Sequence, residues 1–363
     1  MRYIDEFRDG DLARGLAESI RREAVRPICL MEVCGTHTMA IARYGIKSIL
    51  PPNLKLISGP GCPVCVTPQS HIDRFIELGR LPDIILTTFG DMIRVPGTRS
   101  TLEAERACGA DVRVVYSPLD AVEVARQNPD KRIVFFAVGF ETTTPAVALA
   151  VLEAAKPGLS NFYLLPGHKL IPPAMAALAS DREIAIDGFI CPGHVSTIIG
   201  SDAYQPIARD YDIPCVIAGF EPLDILQAIL MLVRQVTEHR AEVEVQYSRA
   251  VSATGNVGAM RCVNSVFEVA DSEWRGLGTI PGSGLRLRPD FATFDASQFL
   301  PDADEGPGET QGCECGLILR GLKSPSECAA FGVVCTPERP LGPCMVSSEG
   351  ACAAAYRYGA DVT

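Results

Sequence analysis

Four absences bound the 363-residue chain. No apolar run approaches the roughly 18 residues of a membrane span. The longest, such as Ile133 to Val138 and Ile225 to Val233, are far shorter, so a soluble protein with no membrane segment is expected. No strongly basic block exists either: 33 Lys plus Arg face 44 Asp plus Glu, a formal net charge of −11, which leaves no electrostatic footprint for nucleic acid. The opening, MRYIDEFRDGD, carries acids and no apolar leader segment, so a cytoplasmic, reducing compartment is expected. Finally, neither a Gly-x4-Gly-Lys-Ser/Thr phosphate loop nor a Cys-x3-Cys-x2-Cys run is present, and nucleotide-dependent and radical chemistries have no support.

What the chain does have is sulfur. In a reducing compartment 14 cysteines argue for metal, cluster or redox chemistry more than for structural disulfides. Cys29, Cys108, Cys191, Cys215 and Cys262 sit singly beside apolar or small residues and read as ordinary core positions. The others concentrate. Cys62 and Cys65 form a Cys-x-x-Cys in a Gly/Pro-rich stretch, and Cys313, Cys315, Cys328, Cys335, Cys344 and Cys352 crowd the last 51 residues.

The body of the chain reads as α/β. Leu12, Leu16 and Ile20 mark one face of an amphipathic helix over residues 11–25. From about 54 to 235, short β-rich runs (LKLIS, DIILTTFG, RVVYS, RIVFFAVGF, NFYLLPG, IDGFICPG, CVIAGF) end in Gly or Pro, and most precede a helical pattern, which predicts largely parallel, buried strands. Pro222 opens a helix with Leu223, Leu226, Leu230 and Val233 on one face. A weak internal echo, Gly139-Phe140-Glu141 with Gly219-Phe220-Glu221 and Pro166-Gly167-His168 with Pro192-Gly193-His194, falls where strands should end. In open α/β sheets such loops border the crevice at the strand C-termini. Residues 275–312 read as loop and connector.

In the tail, Cys313, Cys328, Cys335 and Cys352 are separated by 14, 6 and 16 residues, with Cys315 and Cys344 as additional thiols. Four thiolates suit tetrahedral zinc or a 4Fe-4S cubane. The lack of two tight Cys-x2–4-Cys knuckles favours the cluster, although the spacing matches no ferredoxin run. In front, Cys34 and His37 stand three apart in CGTH, a thiolate and an imidazole able to polarise each other or share a metal. The Cys62-Pro63-Val64-Cys65 loop has the form of a dithiol/disulfide couple, or of half a zinc site whose other half would be Cys313 and Cys315.

The stretches MEVCGTHTMAIARYGI, ISGPGCPVCVTP, FAVGFETTTPA, LPGHKLIPPAM, ICPGHVSTIIG, GNVGAMRCVNSVF, WRGLGTIPGSGLRL and the cysteine-rich tail resemble the hydrogenase maturation factor HypD family over nearly the whole chain. The resemblance implies two Rossmann-like α/β domains plus a third: residues 1–50 with 255–363 as a helical, cysteine-rich iron-sulfur domain, 51–130 as the α/β domain with the Cys-x-x-Cys loop, and 131–254 as the second. It implies an assembly scaffold with redox activity for the Fe(CN)2CO unit of nickel-iron hydrogenase, not a conventional turnover enzyme. The implied partners are a HypC-like small chaperone, a HypE-like cyanide donor loaded by HypF and, indirectly, the hydrogenase large subunit. Cys34 is then the ligand of the assembled iron with His37 beside it, Cys62 and Cys65 a redox pair, and Cys315 and Cys344 a second one. Cys313, Cys328, Cys335 and Cys352 are then the 4Fe-4S ligands. Chemistry adds that Thr36, His37, Thr142, Thr143, His168 and His194 should gather around bound cyanide, with Glu141 orienting one of them, taking a proton, or merely starting a helix. A cluster-dependent thiol-disulfide oxidoreductase acting on a small substrate is the competing reading.

Overall fold

The computed structural model describes residues 5–156, 158–300 and 312–359. Among them the apolar runs form eleven strands: β1 (Ile28–Glu32), β2 (Leu54–Ser58), β3 (Ile84–Thr88), β4 (Asp111–Val114), β5 (Arg132–Gly139), β6 (Phe162–His168), β7 (Gly188–Pro192), β8 (Cys215–Ala218), β9 (Val243–Val245), β10 (Phe267–Trp274) and β11 (Gly278–Leu287). Two wholly parallel sheets result, ordered β2-β1-β7-β8-β9 and β4-β3-β5-β6. Parallel strands are covered on both faces, which is why β5 reads RIVFFAVG with seven of its eight residues buried. Sheet membership cuts across sequence segments: β2 pairs with β1 and belongs with β7 to β9, whereas β3 and β4 join β5 and β6.

Met31 of β1, Leu86 of β3, Phe136 of β5 and Phe189 of β7 share one core, so the two sheets are packed together. The helix Pro222–Thr237 starts on Pro222 with a Glu221/Asp224 capping box. It buries Leu223, Leu226, Leu230 and Val233, and also Ile225, Ala228, Ile229 and Leu232, because it lies between its sheet and the N-terminal helix Gly10–Glu23. That N-terminal helix inserts Ala17 and Ile20 and leaves Leu12 57% exposed, so its packed stripe is narrower than the spacing of Leu12, Leu16 and Ile20 implied.

The stretch read as loop from residue 275 contains a ten-residue strand, β11, followed by two short 3-10 turns, Pro289–Phe294 and Ala296–Phe299. β10 and β11 form an antiparallel ribbon with an irregularity between Ala270 and Ser272, and this two-stranded edge tolerates Pro281 and the left-handed Gly282 (φ 61°) that disguised it. Residues 301–311 of the expected connector lie outside the described residues. Cys191 and Cys215 are core residues and Cys29 and Cys262 half-buried, but Cys108 is exposed, at the C-terminal cap of a six-residue helix.

Candidate functional site

The C-terminal ends of β1, β2, β3, β5 and β7 surround one cleft of about 280 Å³. Cys34 on its wall follows β1 and caps the helix Gly35–Arg43. Cys34 is 8% exposed, and burial pushes its thiol up to about 12 against the weaker lowering pull of the neighbouring His37 and Thr36 backbone N–H groups. Glu32, two residues earlier and 1% exposed, fixes this turn. It accepts the Cys34 N–H at 2.9 Å and the Thr38 hydroxyl at 2.5 Å, and desolvation raises its pKa to about 7.

The Cys-x-x-Cys loop is locked to the same turn. Gly35 N–H donates to Gly61 O at 2.8 Å, and a Cβ on Gly61 would fall 2.1 Å from the Cys34 nitrogen, so only glycine allows this approach. Cys62 and Cys65, both buried, are joined as a disulfide. His37 lies behind the wall, wholly buried. Its Nε2 is 2.9 Å from Gly219 O, and because a carbonyl only accepts, Nε2 carries the proton and Nδ1 is left with a free, buried lone pair. Burial lowers its pKa to about 4.

The tail closes the other side of the cleft. Thr36 donates its hydroxyl to Glu349 at 2.8 Å, Ser347 donates to Asp91 at 3.1 Å, and both carboxylates line the cleft. No lysine or arginine does so among the described residues. Glu349 is raised by desolvation and adds its field to Cys34. The spacing from Cys352 in SSEGAC was the only sequence signal for Glu349. Thr142, Thr143 and His194 also line the cleft, whereas His168 is 1% exposed with neither ring nitrogen partnered and does not reach it. Nor does Glu141 line it: its Oε1 accepts Ile171 N–H at 2.9 Å at the start of helix Ile171–Ser180, Oε2 is unpartnered, and burial raises its pKa to about 7.

Cys313, Cys315, Cys328, Cys335, Cys344 and Cys352 all line a second, apolar cavity of about 20 Å³. Cys315 accepts hydrogen bonds from the thiols of Cys313 and Cys344 and is lowered by them. Cys335 Sγ accepts Leu341 N–H at 3.4 Å, and Gly342 leaves room for Cys313, whose Sγ would lie 2.5 Å from a Cβ there. Among the described residues no three His, Cys, Asp or Glu side chains are arranged to hold a single metal ion.

The ribbon ties the two sulfur groups together. Trp274, the lone tryptophan, is buried against Phe140 of the cleft wall at 6.0 Å. Arg275, 3% exposed, donates its backbone N–H to Val66 O at 2.9 Å and Nε–H to Thr67 O at 3.0 Å, just beyond the disulfide, and its charge acts on Cys315. Gly276 (φ 77°) packs directly on Gly316, where a Cβ would lie 2.3 Å from its Cα.

Fold and site thus define a two-sheet parallel α/β thiol protein with a buried cysteine on the wall of an inter-sheet cleft, a disulfide in a loop bordering that cleft, and a further cysteine-lined cavity. A family model described as the HypD "Hydrogenase formation hypA family" matches residues 11–359. Hydrogenase maturation factors HypD from Azotobacter vinelandii (56% identical, 99% of this chain and 97% of theirs) and Escherichia coli K12 (45%, 99% and 98%) are similar along their length. So is HypD2 of Bradyrhizobium diazoefficiens (53%, 99% and 97%). The chain belongs to the HypD family. No helix among the described residues is long and apolar enough to cross a membrane.

Proposed function

We propose that the protein is a cytoplasmic scaffold of hydrogenase maturation on which the Fe(CN)2CO unit is assembled together with a HypC-like chaperone and a HypE-like cyanide donor. The observation that carries this reading is the meeting of Cys34, the disulfide loop and the tail carboxylate in one cleft, through Gly35 N–H to Gly61 O and Thr36 Oγ1 to Glu349, both at 2.8 Å. A single thiolate anchor suits soft iron(II) cargo that must later be released. Cys34 binds the incoming iron by giving up its proton, and Glu349, whose field it already feels, takes that proton. Thr36, Thr142, Thr143 and His194 line the space where cyanide and carbon monoxide would project.

Six thiols around one apolar cavity fit an iron-sulfur cluster in donor chemistry, with Cys313, Cys328, Cys335 and Cys352 as holders. When bound, the cluster supplies single electrons. Cys315 and Cys344, as free thiols, would reduce the Cys62–Cys65 disulfide by thiol-disulfide exchange, becoming a disulfide themselves while their two protons and two electrons leave Cys62 and Cys65 as a dithiol. Arg275 and the ribbon keep the two sulfur groups in fixed relation.

The test is infrared spectroscopy of the complex co-purified with the HypC-like partner. Cys34→Ala abolishes the bands of iron-bound cyanide and carbon monoxide; wild-type bands in that variant would remove Cys34 from the anchoring role.

A further inference from the structure

Phe220, in the second copy of the Gly-Phe-Glu echo, has a histidine stacked against it on two sides. Its ring centroid is 4.9 Å from that of His37 (29° between planes) and 3.9 Å from that of His194 (27°). His37 is pinned from behind by Gly219 O. His194 is different: it is exposed on the cleft wall, and among the described residues its ring nitrogens make no hydrogen bond, so stacking on Phe220 is what locates the imidazole.

The surroundings hold Phe220 in place for this. Tyr247 meets it edge-on at 5.8 Å and is itself covered by the Arg249 guanidinium at 4.4 Å. Gly193, immediately before His194, leaves the room required: a Cβ there would lie 3.1 Å from Phe220 Cζ and 2.5 Å from Ala218 O. The first echo copy is used otherwise, with Phe140 against Trp274 and its own His168 buried away from the cleft. Only one copy therefore presents a histidine to the cleft.

We infer that Phe220 is a positioning residue that holds the His194 imidazole over the cleft in register with His37. The effect on maturation rests on the assembly reading above; the effect on the ring does not. Offset aromatic stacking supports a population bias of roughly 2- to 12-fold, and that is the expected loss of maturation when the ring is removed.

The experiment uses the full chain with isotope-labelled histidine, of which there are five residues to resolve. In the unaltered protein the His194 ring signals are displaced upfield by the Phe220 ring current. Phe220→Leu returns them toward free imidazole and lowers maturation by roughly 2- to 12-fold. Phe220→His, a flat ring with no atom to collide with Gly193, restores part of both, whereas Tyr would drive its hydroxyl at Gly193. Unshifted His194 signals in the unaltered protein overturn the inference even if Phe220→Leu fails to fold. Full maturation by Phe220→Leu overturns it as well. Normal maturation by His194→Ala beside a dead Cys34→Ala removes the positioning role and leaves the assembly reading standing, whereas retained bands in Cys34→Ala strike at that reading itself.

Discussion

Glu141→Gln replaces an acid whose burial raises its pKa from 4.5 to about 7. The fold favours its protonated form, so Glu141 stabilises the protein fully below its unfolded pKa, and this contribution is lost as pH rises through about 7. At about 1.4 kcal/mol per pKa unit the whole effect is roughly 3 kcal/mol, most of which falls between pH 5 and pH 8. Gln is neutral throughout and still offers a carbonyl oxygen to the Ile171 N–H that Glu141 Oε1 accepts at 2.9 Å. Urea unfolding followed by circular dichroism at pH 5, 6, 7 and 8 should therefore show the variant gaining ~2–3 kcal/mol on the unaltered protein across this range. Burial lowers His37, His71 and His168, whose contribution is present above the ordinary imidazole value and lost toward acid. They tilt both profiles alike, so the difference between proteins is the readout. A difference independent of pH, or one that shrinks as pH rises, refutes the assignment of Glu141 as a buried cap of helix Ile171–Ser180.

Three further outcomes follow from the packing. Gly61→Ala forces a methyl against the Cys34 backbone and should cost ~2 kcal/mol or more in thermal unfolding, while Gly15→Ala, where a Cβ meets nothing within 4 Å, should be neutral or stabilising by up to ~1 kcal/mol. Arg275→Met strips Thr67 O of its donor and should cost ~1–3 kcal/mol, and Arg275→Lys, without the planar fork, should not recover it; denaturant midpoints measure both. Cys62→Ser should leave the tail's iron, sulfide and visible absorbance unchanged after anaerobic purification while stopping maturation in cells. Loss of both would make Cys62 a folding residue, and stoichiometric zinc without sulfide would defeat the cluster assignment.

The parallel strands were legible because each is a short β-branched or aromatic run closed by Gly or Pro, and burial on both faces makes that pattern dense. β1 was hidden: ICLME merges into the CGTH motif, so the strand that delivers Cys34 went unread although Cys34 itself did not. β11 was lost to its own Pro281, Gly282 and Gly284, residues that usually mark turns. Cysteine positions could be read singly, but their convergence could not, because it depends on a ribbon more than 200 residues from the Cys-x-x-Cys loop reaching Val66 and Thr67. Glu141 and Glu349 show the same limit. The acid beside a recognisable motif turned out to cap a helix, and the acid facing Cys34 sits in the tail, where only folding brings it near.

The cleft wall carries Asp91 and Glu349 with, among the described residues, no countering lysine or arginine. A diffusing anion meets repulsion at such a mouth, and a divalent cation meets attraction. Under the assembly reading proposed above, that polarity would suit the cleft to draw in iron(II) ahead of any anionic species.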